Sequence, residues 1–421
     1  MDSIVIEGGT VLEGEVEVSG AKNAALPLLF ATLLTPERCV LRHVPALADI
    51  RTTLAVLRHL GAQITRAEGG HEVAVEAGMI GCTEAPYELV KTMRASFLAL
   101  GPLLARFGTA RVSTPGGCAI GARPVDLHLA GLEKMGARIT VREGYVEAAA
   151  DRLRGATIVL DFPSVGATEQ LMMAAALADG TTVIENAARE PEIECLATLL
   201  ERMGVWVEGE GTSRVTVEGR RDLHGAEISV IPDRIEAGTF MVAAAITGGR
   251  VRVNGARHDH LEAFVTKLAE TGVVVNEYDG GLQVEANGHL AAVDIRTMPY
   301  PGFPTDLQAQ MMALATRADG TSKFTETVFE NRMLHAGELA RLGAQVRVDG
   351  NTAVVRGPTV LSGAPVMATD LRASVSLVLA GLAARGETTV SRVYHLDRGY
   401  ERLEAKLGAL GARIRRVKGA A

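Results

Sequence analysis

The chain is 421 residues long, 47% hydrophobic and 22% charged, with a formal net charge of -7, a balance that suits a soluble globular protein of two or three domains and excludes a disordered one. The acidic excess argues against nucleic acid as a partner, and the start "MDSIVIEGGT", with neither a basic nor an apolar leader region and no membrane-length apolar run after it, predicts neither secretion nor membrane insertion. Cys39, Cys82, Cys118 and Cys195 lie far apart with no C-x-x-C pair, which disfavours a disulfide framework and a zinc site and points to the reducing cytoplasm.

In chain order, one pair of elements recurs. "AKNAALPLLFATLL" predicts a helix apolar on nearly every face, and "LAVLRHLGAQI" predicts an amphipathic helix that stops at Gly61 before an alternating strand. The pair returns as "MRASFLALGPLLAR" with "LAGLEKMGARI", stopping at Gly136, and as "ATEQLMMAAALA" with "LATLLERMGVWV", stopping at Gly204. It returns again as "IEAGTFMVAAAI" with "VTKLAETGVVV" at Gly272, "DLQAQMMALAT" with "GELARLGAQVRV" at Gly343, and "LRASVSLVLAGLAA" with "EAKLGALGARI" at Gly411. The stop glycines fall about 70 residues apart, so six repeats fill the chain. Strands such as "DGTTVIEN", "GGRVRVNG" and "RGETTVSRV" follow several of the apolar helices. A helix apolar all round must be surrounded by protein, whereas the second helix of each pair carries charges such as Arg58, Glu133, Lys134 and Arg341 on a wet face. Grouped in threes, the repeats make two α/β domains with helices inside and sheets outside. A repeat this long disfavours a solenoid or a propeller.

Between the second pair of helices lies "STPGGCAIGARP", which puts Cys118 in a glycine-rich stretch bounded by prolines, with Arg123 close behind. That pattern reads as a shaped, exposed loop. A thiol beside a guanidinium has its pKa lowered towards neutrality and can exchange protons with a substrate; the plain alternative is a small apolar residue under a turn. The cysteine-phosphatase loop has five residues between its Cys and Arg, and here only four intervene, which sets a thiol phosphatase well behind.

The blocks "GAKNAALP", "VKTMRASF", "PGGCAIGARPVDLH", "ENAAREPEI", "PGFPTDLQAQ", "ETVFENRMLH", "ATDLRASVSLVLAG" and "YHLDRGYERLEAKLGALGA" run in this order along the chain. By them the sequence resembles the enolpyruvyl transferases, most closely those whose acceptor is UDP-N-acetylglucosamine. The resemblance covers essentially the full length. It implies a two-domain inside-out α/β barrel of the EPSP synthase type: residues 22–230 as one three-repeat domain carrying the Cys118 loop, residues 1–21 with 231–421 as the other, and the active site in the cleft between them. It implies a reaction in which phosphoenolpyruvate gives its enolpyruvyl group to the 3′-hydroxyl of UDP-N-acetylglucosamine with release of phosphate, the first committed step of peptidoglycan synthesis. No metal or organic cofactor is implied.

The resemblance also assigns roles. Cys118 is the acid, open to alkylation by phosphonate epoxides such as fosfomycin, and Asp306 is the base facing the sugar hydroxyl. From the sequence alone, an Asp after Pro-Thr at the start of an apolar helix also reads as an N-cap. Lys22, Arg123 and Arg398 hold the phosphate and carboxylate of phosphoenolpyruvate, with Asp370 and Arg372 lining the same cleft. Lys22 is locally unusual, because a helix start prefers acids; Arg372 and Arg398 also read as solvated surface charges. Asn23, Arg94 and the run Arg123-Pro124-Val125-Asp126-Leu127 take the nucleotide sugar, Ser164, Val165 and Gly166 seat its pyrophosphate on helix-start amides, and Val328 gives a backbone contact. Two departures bear on that pocket: Phe162-Pro163 stands where relatives often carry a lysine, and Leu98 where an aromatic can occur.

Three rivals stand beside this reading. A 3-phosphoshikimate-using sister enzyme shares the fold and the donor but not the Gly-Gly-Cys loop or the "RPVDLH" run. A catalytically silent binding paralogue is disfavoured by Lys22, Cys118, Asp306 and Arg398 standing together, and a repeat-built clamp on nucleic acid by the charge.

Overall fold

The computed structural model describes residues 2–91, 93–114 and 125–419. These divide into two compact units, residues 2–19 with 232–419 and residues 20–231, so the chain passes from one to the other at Ser19 and Gly20 and returns at Ile231 and Pro232. Each unit has its own apolar core. Among the described residues no helix is long and apolar enough to cross a membrane.

Six stop glycines predict six repeats, and the described strands form six four-stranded sheets with one pairing scheme. A short strand runs parallel to a second, which is antiparallel to a third, which is antiparallel to a fourth. In residues 20–231 these are Glu84–Ala85, Thr109–Ser113, Tyr145–Ala149 and Arg138–Arg142 in one sheet, and Thr157–Val159, Thr181–Glu185, Arg214–Glu218 and Trp206–Glu208 in another. The remaining sheet of that unit is closed from far along the chain, by Glu227–Ser229 beside Arg38–Arg42. The other unit is stitched in the same way. Ser3–Glu7 lies between Glu387–Ser391 and Arg413–Val417, and Glu13–Glu17 runs parallel to Arg250–Asn254.

All six glycines that end the amphipathic helices have positive φ: Gly61 109°, Gly136 95°, Gly204 100°, Gly272 90°, Gly343 93° and Gly411 99°. Only glycine takes this left-handed conformation without a Cβ penalty, which is why the helix can stop there and the next strand turn back. The apolar helices lie inside their units. Every residue of Gln308–Ala315 is buried, as are residues 24–31 of Lys22–Ala31. The strands alternate, as in Arg214–Glu218, where Val215 and Val217 are buried and Arg214 and Glu218 are exposed, so each sheet lays one face on helices and the other in water.

Two apolar helices are shorter than their sequence pattern. "MRASFLALGPLLAR" divides into a 3-10 helix, Arg94–Ala99, and an α-helix, Leu100–Phe107. Pro102 has no amide to bond the Leu98 carbonyl, so α-winding begins only at Leu100. "DLQAQMMALAT" likewise opens with a 3-10 turn, Thr305–Leu307, before the helix Gln308–Ala315.

Candidate active site

Asp306 lies in that 3-10 turn, and its side chain caps neither the turn nor the helix that follows. Its Oδ1 accepts from Arg332 Nη2 at 2.6 Å and its Oδ2 from Arg372 Nη2 at 2.9 Å. The N-cap role open to it from the sequence is not the one it has. Burial pushes the Asp306 carboxyl up, but the Arg372 and Arg332 guanidinium groups outweigh it and hold its pKa well below the usual carboxylate range.

Arg372 comes from the inner helix Leu371–Ala383 and is buried, not a solvated surface charge. Its Nη1 donates to Tyr400 Oη at 3.3 Å, and that hydroxyl shares a buried network with Thr239 at 3.0 Å and Gln310 at 3.4 Å. Gln310 also donates to the Asp306 carbonyl at 2.9 Å, so backbone and carboxylate of Asp306 are tied to one polar cluster. Burial works against the Arg372 charge, yet Asp306 and Tyr400 prevail and push its pKa up.

Asp370 is the N-cap of the same helix, its Oδ1 accepting from the amides of Arg372 at 2.9 Å and Ala373 at 3.0 Å. Arg398 ends the 3-10 helix Val393–Arg398. The next residue, Gly399, packs on Leu371 so closely that a Cβ would stand 2.7 Å from Leu371 Cδ2; glycine there brings Arg398 to the start of the helix that carries Asp370 and Arg372. Burial lowers the His395 pKa, with the Arg398 charge adding to it and Asp370 opposing. The Val328 amide donates to Glu326 Oε1 at 2.8 Å, which leaves its carbonyl as the backbone group for a ligand. Thus Asp306, Asp370, Arg372 and Arg398 gather in one unit, with Arg332 added.

In the other unit Lys22 opens the inner helix Lys22–Ala31, which has no side-chain cap and no acid in its first turn. Asp49 supplies the missing negative charge from a neighbouring helix, its Oδ2 3.4 Å from Lys22 Nζ, with side chains only 6% and 12% exposed. Asn23 follows Lys22, and Pro27 has no amide to bond its carbonyl. Ser164 caps the inner helix Val165–Ala175, its Oγ accepting from the Ala167 amide at 3.3 Å. Amides in a first helical turn have no intrahelical acceptor, so those of Val165 and Gly166 suit an anion.

Behind that seat stands His128, two residues after Asp126 in the helix Asp126–Lys134. Its Nδ1 lies 2.8 Å from Gln170 Oε1, and its ring meets Phe97 edge-on at 5.5 Å. Burial lowers the His128 pKa to about 4, with Gln170 opposing, Arg94 lowering it further and Asp126 raising it. Arg94 and Asp126 therefore sit within electrostatic reach of the ring that backs Gly166, with Val125 and Leu127 half-buried on either side of Asp126. Phe162 is 41% exposed and its carbonyl accepts from the Ser164 amide at 2.7 Å, whereas Leu98 is 5% exposed and part of the core. Cys118, Arg123 and Pro124 lie outside the described residues.

Sequence reasoning passes over Arg332, Asp49 and His128. Arg332 had one signal, a cation among the apolar neighbours of "NRMLH" just ahead of a helix. His128 had another, its place in "RPVDLH" on what becomes the buried side of an amphipathic helix.

A family model described as EPSP synthase (3-phosphoshikimate 1-carboxyvinyltransferase) matches residues 6–407. The chain is 58% identical over 420 residues to the UDP-N-acetylglucosamine 1-carboxyvinyltransferase of Granulibacter bethesdensis, covering 100% of each. It is 59% identical over 420 residues to that of Dinoroseobacter shibae, covering 99% of this chain and 100% of the relative. Among solved structures, the enolpyruvyl transferase NikO from Streptomyces tendae matches with a TM-score of 0.91 at 27% identity, over 100% of this chain and 99% of that one. With the repeat architecture of each unit and full-length identity of this order, the chain belongs to the enolpyruvyl transferase family, on its UDP-N-acetylglucosamine 1-carboxyvinyltransferase branch.

Proposed function

We propose that the protein transfers the enolpyruvyl group of phosphoenolpyruvate to the 3′-hydroxyl of UDP-N-acetylglucosamine, releasing phosphate, as the first committed step of peptidoglycan synthesis. The observation that carries this is the 58% identity, without loss of coverage at either end, to a relative named for that transfer. Cys118 protonates C3 of the donor, C2 becomes electrophilic, and the sugar 3′-oxygen adds there while its proton passes to Asp306. The tetrahedral phospho-ketal then loses a proton from C3 and phosphate from C2, restoring the double bond in the product.

Lys22, held by Asp49, Arg123 and Arg398 hold the donor anion, with Asp370 and Arg372 lining its site. Asn23, Arg94 and Val125 to Leu127, with Pro124, take the nucleotide, Ser164 to Gly166 its pyrophosphate, and the Val328 carbonyl the sugar. The charge on Lys22 and on Arg372 is neutralised locally, by Asp49 and Asp306, which lowers the cost of keeping cations buried until an anion arrives. The test is phosphate release from phosphoenolpyruvate in the presence of UDP-N-acetylglucosamine, of 3-phosphoshikimate, or of neither. Release only with the nucleotide sugar is expected; release with 3-phosphoshikimate, or with no acceptor, overturns the reading.

A further inference from the structure

The six sheets repeat one pairing scheme, so each outward position of one sheet has counterparts in the others. On five of them an arginine stands directly opposite a glutamate on the neighbouring strand and pairs with it. Arg38 meets Glu76 at 3.6 Å, Arg111 meets Glu147 at 3.1 Å and Arg214 meets Glu185 at 3.4 Å. In the unit that holds Asp306, Arg252 meets Glu15 at 3.1 Å and Arg413 meets Glu7 at 2.7 Å.

The sixth sheet is built from Ile295–Arg296, Gly320–Thr325, Thr352–Gly357 and Gln345–Asp349, and its cations have no such answer. Arg296, Lys323, Arg347 and Arg356 are all exposed, and none of them forms an ion pair among the described residues. Lys323 and Arg347 flank Val354 on either side, and Arg356 lies between Thr321 and Gln345. Asp349 shares this face and Asp294 borders it, but among the described residues neither pairs with a cation; Asp294 Oδ1 accepts from the Lys323 amide at 2.8 Å.

Arg356 also stands where the repeat places an acid. Two residues past the stop glycine, the fourth strand begins opposite a glutamate of the third: Gln63 opposite Glu76, Trp206 opposite Glu218, Val274 opposite Glu285 and Arg413 opposite Glu7. Opposite Gln345 the counterpart of those glutamates is Arg356. A position that takes glutamate in four sister sheets does not require arginine for the fold. In a protein of net charge -7, the four unpaired cations make one face of opposite sign.

We propose that the outer face of this sheet, with Arg296, Lys323, Arg347 and Arg356, is a docking surface for an acidic segment of a partner protein, whose carboxylates take the places that the chain's own glutamates take on the other five sheets. Three of the four cations are arginines, whose planar fork takes a carboxylate through two parallel hydrogen bonds. Strands lie about 4.8 Å apart, so the backbones at Lys323 and Arg347 are roughly 10 Å apart, within reach of successive acidic side chains on an extended segment. A bilayer is the poorer match, because the outward positions offer only Val354, 36% exposed, for insertion. Nucleic acid is poorer too, because no aromatic side chain faces outward there for a base to stack on. The face lies on the water side of its sheet and takes no part in the proposed transfer.

The experiment titrates a fluorescent peptide of alternating glutamate and serine with the full chain at low and rising salt, with melting temperatures and phosphate release measured alongside. The peptide should bind wild type and weaken as salt rises. Arg347→Glu with Arg356→Glu should weaken it ~10-fold, because two attractive contacts become repulsive, while phosphate release stays at the wild-type rate. Arg250→Glu with Arg252→Glu alters the net charge by the same amount on a sheet whose arginines already have glutamates, and should leave the affinity unchanged. If the first variant melts early, Arg347→Gln with Arg356→Gln takes its place and should still weaken binding ~3-fold; unweakened binding there overturns the proposal. Equal weakening by the two reversed variants would make net charge the cause and overturn it, as would failure of the peptide to bind wild type at low salt. Vesicles of phosphatidylglycerol, or a DNA duplex, bound more tightly than the peptide and lost in Arg347→Glu with Arg356→Glu, would give the face to another class of partner and overturn it as well.

Discussion

The imidazole of His128 closes the space over Gly166: its Cε1 lies 3.3 Å, and its Nε2 3.5 Å, from where a Cβ on Gly166 would stand. The ring cannot retreat easily, because it is buried, bonded to Gln170 at 2.8 Å and wedged against Phe97. Gly166→Ala should therefore push on the first turn of the helix Val165–Ala175, where the pyrophosphate is proposed to sit, rather than on the ring. The expected outcome is KM for UDP-N-acetylglucosamine raised ~10-fold with kcat nearly unchanged, the signature of lost uniform binding. Unaltered KM would mean that this turn does not seat the nucleotide sugar.

The same histidine makes a prediction about acid stability. Its folded pKa of about 4, lowered first by burial, lies below the ordinary value of 6.5. The neutral ring is what the fold accepts, so the unfolded chain binds the extra proton, and stability is full above pH 6.5 and is lost as pH falls from there towards 4. At pH 5 the loss from this one group is about 2 kcal/mol. Denaturant melts of wild type and His128→Phe at pH 7.5 and 5 check it. The variant should be less stable at pH 7.5, with Gln170 left unpaired, but should lose visibly less on acidification. Equal losses in both would place the titration elsewhere.

How far such features were legible depends on whether their cause is local. Gly61, Gly136, Gly204, Gly272, Gly343 and Gly411 were readable as helix ends because a left-handed turn demands glycine wherever it occurs. The inner helices were readable because only a surrounded helix tolerates apolar residues on all faces. The pairing of Glu227–Ser229 with Arg38–Arg42 was not, since nothing in either strand marks a partner so distant in sequence. The site divides in the same way. Asp306 stood out by resemblance, and Lys22 by resemblance and by an odd position at a helix start, whereas Arg332 and Asp49 are ordinary residues by type and acquire meaning from being 5% and 4% exposed beside opposite charges. Asp306 shows the limit most plainly. Its sequence context fits a helix cap, and only the arrival of two arginines, 26 and 66 residues downstream, gives it another role.

A third prediction concerns the segment where the chain leaves the first unit. Glu236 is buried, and its carboxylate accepts from Lys406 Nζ at 2.8 Å and from the Ser19 amide at 2.6 Å, while Lys406 also donates to Ser19 Oγ at 2.7 Å. Burial pushes the Glu236 pKa up to about 7 against the pull of Lys406, with Asp233 adding to the rise. Removing the cation leaves a buried carboxylate unpaired. Lys406→Met should cost ~3–5 kcal/mol at pH 8. Because the carboxyl pKa rises further in the variant, the deficit should shrink as pH falls and Glu236 takes up a proton, so that the gap between variant and wild type is smaller at pH 5.5. Adding Glu236→Gln should recover much of the loss at pH 8. A deficit indifferent to pH would assign the effect to lost packing over Phe240, whose ring centre lies 5.9 Å from Nζ.

The last prediction uses the thiols as mutual controls. If Cys118 is the acid beside a site that binds a small trianion, a phosphonate epoxide should be drawn to it, the sulfur forming a bond to an epoxide carbon as the ring C–O bond opens and the oxygen takes a proton. The structure narrows the competition. Cys39 and Cys195 are 0% and 5% exposed, and burial raises both thiol pKa values, Cys195 to about 11, so little nucleophilic thiolate is present at neutral pH. Cys82 is half-buried and is the informative rival. A brief exposure to fosfomycin followed by peptide mass mapping should place the adduct on Cys118 alone. UDP-N-acetylglucosamine should speed the labelling and phosphoenolpyruvate should slow it, because a bound acceptor completes the pocket whereas the donor occupies it. Equal labelling of Cys82, or a rate on Cys118 that neither substrate alters, would mean that simple exposure, not an anion site, makes the thiol reactive.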